Sequence, residues 1–181
     1  MRGQGNAVMM DCDNPFWNFS LAVYAAPGVA AECLALQRAI DIDVNALLFC
    51  AWFGNAKRIA LSNDNLQTID SRVLTWHETV IRRLRTTRQD IKPMPAMADD
   101  SVRELRADIA RIELRAEQIE QAMLFELAQE LEDGAPAITV AEAIRHNVAN
   151  FLHRNMNPDA ACTEPPKAAR LIEEAIAYRP A

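Results

Sequence analysis

A chain of 181 residues, half of them apolar and about a quarter charged, has the length and make-up of one soluble globular domain. Its net charge of −6 excludes a general nucleic-acid binder, which would be basic. Five glycines and two tyrosines in a chain rich in Ala, Leu, Glu and Arg favour helix, because those side chains lose little freedom there.

The first segment, Met1 to Cys12, has no periodic pattern, and residues 1–13 are expected to be frayed. Asn14-Pro15 is a helix start, with Asn as cap and Pro pre-set for the first helical position. Phe16, Trp17, Phe19, Leu21, Val23 and Tyr24 make the helix that follows aromatic and largely buried. Pro27-Gly28 interrupts it. A second helix to about Ile40 carries Val29, Cys33, Leu36 and Ile40 at spacings of four, three and four.

Asp43 then caps a third helix, Asp43 to Gly54, that has no polar face. An all-round apolar helix is buried in a protein or a membrane, and this run is far short of the roughly 20 residues of a bilayer span. It is predicted to be the central core helix. Ile42 and Leu47 are spaced for a hydrophobic staple, and Gly54-Asn55 is expected to loosen or end the helix.

After a boundary at Ser62 to Asp64, Leu66, Ile69, Val73, Trp76 and Val80 recur at three and four, with Leu84 and Ile91 continuing the stripe. Lys92-Pro93-Met94-Pro95 stops that helix. Ser101 and Glu104 read as a capping box for the next, whose stripe is Val102, Leu105, Ile109, Ile112, Ala116, Ile119 and Met123. Two stripes joined by a short loop predict a long antiparallel hairpin with coiled-coil-like packing. Residues 61–98 carry six basic and four acidic side chains, and residues 99–133 carry four basic and eleven acidic. A basic arm lying beside an acidic arm explains that split.

Asp133-Gly134-Ala135-Pro136 ends the long helix. Thr139 and Glu142 open another that runs to about Arg154, with Ile144, Val148, Phe151 and Leu152 on one side. Asn155 to Pro166 reads as a linker and Lys167 to Tyr178 as a terminal helix. The class is all-α, a compact bundle of six to seven helices. Three segments are expected: 1–13, a helical domain over 14–133, and a helical extension over 134–181.

The wording of Asn14-Pro15-Phe16-Trp17-Asn18-Phe19-Ser20-Leu21-Ala22-Val23-Tyr24, then Pro27-Gly28-Val29-Ala30, then Asp43-Val44-Asn45-Ala46-Leu47-Leu48-Phe49-Cys50-Ala51-Trp52, is specific in content and order. With Trp76 and the arginines after it, it resembles a proteobacterial family of small helical proteins of unknown function, over about Asn14 to Leu131. The resemblance implies a bacterial, cytoplasmic, all-helical protein and no particular reaction. The part after Gly134 lies outside that pattern.

Asn45 is the polar exception in the central helix, and its amide needs a partner because an unpaired buried polar group costs about 1–3 kcal/mol. Trp76-His77-Glu78, followed by Arg82, Arg85 and Arg88, is the best candidate site. Guanidinium groups in a row suit a carboxylate or phosphate, or else they pair with Glu113, Glu117 or Glu120 of the acidic arm. Asn45, Trp76, His77, Arg82, Arg85 and Arg88 are therefore the candidate ligand-binding residues.

The histidines His77, His146 and His153 supply no Glu-x-x-His pair of the kind a helical di-iron site uses, so no metal and no cofactor are expected. Cys12, Cys33, Cys50 and Cys162 form no Cys-x-x-Cys pair, and Cys50 with His77 is a weak nucleophile–base candidate because apolar surroundings make a thiol inert. No catalytic constellation is present. With no signal peptide and no span, the sequence points to a cytoplasmic protein-interaction or regulatory module without catalysis. Its partner would be another protein, or a second copy bound through the hairpin, with no nucleic acid and no membrane insertion. The alternative is a protein that binds, or acts on, a small anion held by the Arg82–Arg88 face near His77.

Overall fold

A computed structural model describes residues 10–131, 135–136, 139–156 and 167–180. Cys162, most of the expected 155–166 linker, Asp133-Gly134, and residues 1–9 of the expected frayed segment lie outside them. The described residues form an all-α bundle: α1 (Pro15–Tyr24), α2 (Val29–Ile40), α3 (Val44–Lys57), α4 (Asn63–Trp76), α5 (Arg82–Ile91), α6 (Asp100–Leu127), α7 (Val140–Arg154) and α8 (Ala169–Ala177). A π-turn over His77–Ile81 joins α4 to α5 without leaving helical backbone angles, so the two form one rod and the described helices number seven. Two-residue strands Ile59–Ala60 and Ala135–Pro136 pair antiparallel.

The expected starts hold at α1 and α3. Asn14 accepts the Trp17 N–H at 2.9 Å, and Asp43 accepts the Asn45 N–H at 2.8 Å. Thr139 accepts the Glu142 N–H at 3.1 Å to start α7. One start differs. Asp99, not Ser101, caps α6, because its carboxylate accepts the Ser101 N–H at 2.8 Å and the helix begins two residues earlier.

Helix α3 is the core. Every residue from Asn45 to Gly54 is buried, and Phe49 packs against Phe16, Trp52 and Phe53 with ring centroids 5.4–5.7 Å apart. Ile42 and Leu47 are both buried in the same cluster. Gly54 does not end the helix, which continues to Lys57. A Cβ there would lie 2.8 Å from the Ile144 backbone nitrogen and 2.9 Å from the Ala143 carbonyl carbon. The glycine thus permits close crossing by α7, the most extensive neighbour of α3. Leu171 and Ala175 of α8 belong to the same cluster, so α7 and α8 share one core with the preceding helices.

The hairpin is present and antiparallel. Arg72 bonds Glu130 at 2.6 Å near one end, and Arg85 bonds Glu117 at 2.7 Å toward the other. Its buried faces differ from the expected stripes. In the first arm Leu66, Ile69 and Val73 are buried as expected, but the face then continues through His77 and Ile81 instead of Val80. His77 follows Val73 by four residues of regular α-helix, and the wide π-turn that begins there places Ile81, four further on, on the same inward face. In α6 the buried set is Glu113, Ala116, Glu120, Gln121, Ala122, Leu124 and Leu127, whereas Leu105 and Ile112 are 54% and 55% exposed. Carboxylates occupy inward positions there because cationic partners meet them.

Among the described residues no single helix is long and apolar enough to cross a membrane. The bent pair α1 and α2 passes that test only jointly, at 97°, and its Phe16, Phe19, Val23, Val29, Cys33 and Leu36 are buried in the protein core.

Candidate functional site

Three things meet where α1, the start of α3 and the hairpin converge: a row of ion pairs, a buried polar cluster and a pocket.

The arginines are satisfied from within. Arg85 donates to Glu113 at 3.0 Å and to Glu117 at 2.7 Å, and Arg88 donates to both oxygens of Glu113. Burial pushes the Glu113 carboxyl up, but the Arg88 and Arg85 guanidiniums more than offset this and hold it below its usual range. Arg82 turns the other way, to both oxygens of Asp41 at 2.7 and 2.8 Å and to Glu78 at 2.9 Å. Trp76 donates its indole N–H across the hairpin to the Ala116 carbonyl at 3.0 Å.

His77, the buried first residue of the π-turn, meets two carboxylates. Its Nδ1 lies 3.1 Å from Glu120 Oε1 and 3.3 Å from Asp43 Oδ2. Burial lowers the affinity of the imidazole for a proton, but the Asp43 and Glu120 carboxylates beside it outweigh that and raise its pKa to about 10. Burial and the nearby Asp43 charge raise Glu120 to about 7, against the lowering pull of His77.

Asn45 ties the cluster together. Its backbone N–H is bound by Asp43 Oδ1, its side chain donates to Glu120 Oε2 at 2.7 Å, and its carbonyl accepts from Gln121 Nε2 at 2.8 Å. The buried amide is therefore matched by side chains of α6 as well as by its own helix cap. Cys50 belongs to the apolar core cluster. It is fully buried, and desolvation holds its thiol well above the usual range, so it supplies no thiolate to His77.

The pocket has a volume of about 560 Å³, within the roughly 300–1,000 Å³ of small-molecule sites. Trp17, Ser20, Leu21 and Tyr24 of α1 form one wall. Asp43, Asn45 and Leu48 form the floor, and Arg85, Arg88, Glu113, Glu117 and Gln121 come from the hairpin. Leu21, Leu34 and Leu114 also line it while remaining 50%, 42% and 51% exposed, which makes its mouth apolar. Of the six residues singled out in the sequence, Asn45, Arg85 and Arg88 line the pocket. His77 lies behind Asp43, and Trp76 and Arg82 face elsewhere.

Sequence reading did not single out Ser20, Asp43 beyond its capping role, Glu120 beyond an arginine partner, or Gln121. The one local signal was a run of polar residues, Glu113, Glu117, Glu120 and Gln121, at helical spacing along α6.

Fold and geometry define an all-α protein built on a buried central helix, with a polar cluster and a pocket at that helix's N-terminal end. The chain belongs to the family described as "Protein of unknown function (DUF2390)", whose model matches residues 15–124. No curated protein and no solved structure matches it.

Proposed function

We propose that this protein binds a small molecule that combines an apolar body with hydrogen-bond donors, taken up in the pocket between α1, α3 and the hairpin. One observation carries the reading. Among the described residues the buried side-chain polar atoms without a hydrogen-bond partner are Ser20 Oγ, Asp43 Oδ2 and Gln121 Oε1, and all three belong to pocket-lining residues. Each such atom costs about 1–3 kcal/mol unless something meets it. Two are acceptors only, so the missing partner is a donor: an amine, an amide or a hydroxyl.

The arginines argue for the same ligand class. Arg85 and Arg88 are already neutralised by Glu113 and Glu117, so an anion would have to displace them and meet Asp43 besides. This moves the reading from an anionic ligand to a neutral or cationic one. The free thiols Cys12, Cys33 and Cys50 suit a reducing cytoplasm.

A thermal-shift panel tests the proposal. Aryl and alkyl amines and amides should raise the melting temperature, and Ser20→Ala and Gln121→Leu should abolish the rise. Stabilisation by carboxylates or phosphates alone, or by nothing in the panel, would overturn it.

A second reading, contact with another protein or a second copy, has one supporting observation: Leu105 and Ile112 lie two turns apart on α6 and are more than half exposed. Light scattering over a hundredfold concentration range tests self-association. A pull-down that is sensitive to Ile112→Lys tests a foreign partner.

A further inference from the structure

We infer that Asp43, His77 and Glu120 form a binding site for one first-row divalent transition-metal ion, at the N-terminal end of the central helix. The inference shares Asp43 Oδ2 with the small-molecule reading but needs no ligand in the pocket, since the ion would be held by His77 and Glu120 as well.

The first argument is spatial. Three ligand atoms, Asp43 Oδ2, His77 Nδ1 and Glu120 Oε1, lie within 4.8 Å of one another. They come from the cap of α3, from the π-turn and from α6, three elements far apart in sequence. The nitrogen is 3.1 and 3.3 Å from the two oxygens. For ligands roughly 2.0–2.1 Å from an ion, neighbouring ligand atoms are about 2.9 Å apart in an octahedron and about 3.4 Å in a tetrahedron. Both observed separations fall between those values. Asp43 Oδ2 has no contact of hydrogen-bond geometry despite its burial and meets only the longer ion-pair contact to His77 at 3.3 Å.

The second argument is orientation. Asn45 holds each carboxylate by its other oxygen, Asp43 Oδ1 through its backbone N–H at 2.8 Å and Glu120 Oε2 through its side chain at 2.7 Å. Gln121 fixes the Asn45 amide in turn. One residue thus aims Oδ2 and Oε1 together at His77. Outer contacts of this kind commonly fix the ligands of a metal site.

Charge supplies the third argument. Two largely buried carboxylates face one imidazole, so without an ion the set is neutral only when His77 and one carboxylate both hold a proton. A dication with a neutral imidazole balances the set. One nitrogen with two carboxylate oxygens suits zinc, cobalt, manganese or ferrous ions better than all-oxygen sites for calcium or soft thiolate sites.

The test uses the full-length chain, freed of any purification tag and stripped with chelator, titrated with Co²⁺ and with Zn²⁺. Binding of one ion per chain, with visible cobalt absorption and a raised melting temperature, is expected. Asn45→Ala and Glu120→Gln should weaken it by roughly 10–100-fold. Should those variants fail to fold, the double variant His146→Gln/His153→Gln decides, because both residues are exposed and it leaves His77 as the sole histidine. A hyperfine-shifted imidazole N–H signal in its Co²⁺ form supports the site. Loss of that signal, absence of cobalt absorption in the unaltered chain, or undiminished binding in folded Glu120→Gln overturns it.

Discussion

His77 Nδ1 and Glu120 Oε1 are 3.1 Å apart in the interior, although 43 residues separate them and neither belongs to an expected apolar stripe. His77 lies inward at the start of the π-turn, four residues after the buried Val73, and α6 presents Glu120 where the apolar pattern would have put solvent. Both are strongly perturbed: His77 is raised to about 10 and Glu120 to about 7.

Both shifts act in one direction on stability. A group whose folded pKa is raised holds its proton more tightly when folded, so its contribution is complete below the unfolded value and lost as pH rises through the folded one. For Glu120 the loss runs from about 4.5 to about 7, and for His77 from about 6.5 to about 10. The metal-free protein should therefore resist urea better at pH 5 than at pH 9. Urea midpoints measured with chelator across that window should fall, and the fall should flatten in His77→Gln/Glu120→Gln. A midpoint that rises with pH would contradict the assignment.

Glu113 serves two guanidiniums at once. Its replacement by Ala leaves the half-buried Arg85 with Glu117 alone and Arg88 with no hydrogen-bonded carboxylate among the described residues. A loss of about 1–3 kcal/mol is expected, the cost of leaving buried donors unmet. Glu104→Ala, on the exposed side of the same helix, should stay within about 0.5 kcal/mol. Denaturant titration of the two variants separates the effects.

Gly54→Ala tests the α3–α7 crossing. The added Cβ meets backbone at 2.8–2.9 Å, and main chain cannot turn aside as a side chain can. The higher helix propensity of Ala, worth about 1 kcal/mol, should be outweighed by overpacking of about 1–3 kcal/mol. The melting temperature should fall. A rise would mean the helices part easily.

Removal of residues 134–181 tests whether the family-matched part stands alone. Ile144, Val148, Phe151 and Leu152 of α7 and Leu171 of α8 are buried in the same cluster as α3, so the truncated chain would expose the all-apolar helix. It should lose cooperative melting and near-ultraviolet dichroism. A sharp transition would show that α7 and α8 are dispensable to the core.

Much of the fold was legible in the sequence because local physics fixes it. Asn14-Pro15, Asp43 and Thr139 start helices through bonds to N–H groups two or three residues away, and a segment with no polar face has to be interior. The opposite charges of the hairpin arms likewise announced their pairing. Only the tertiary structure decided which polar groups go inside. Apolar periodicity assigns Glu113, Glu120 and His77 to solvent, since burying a lone charge is costly. That cost disappears only when a partner arrives from another helix, as Arg85, Asn45 and Asp43 do. The choice of His77 over the apolar Trp76 as the inward residue has no signature in the spacing of side chains either, since both follow Val73 by a helical step. The core could be read from neighbours along the chain, whereas the site depends on partners that meet only once the chain is folded.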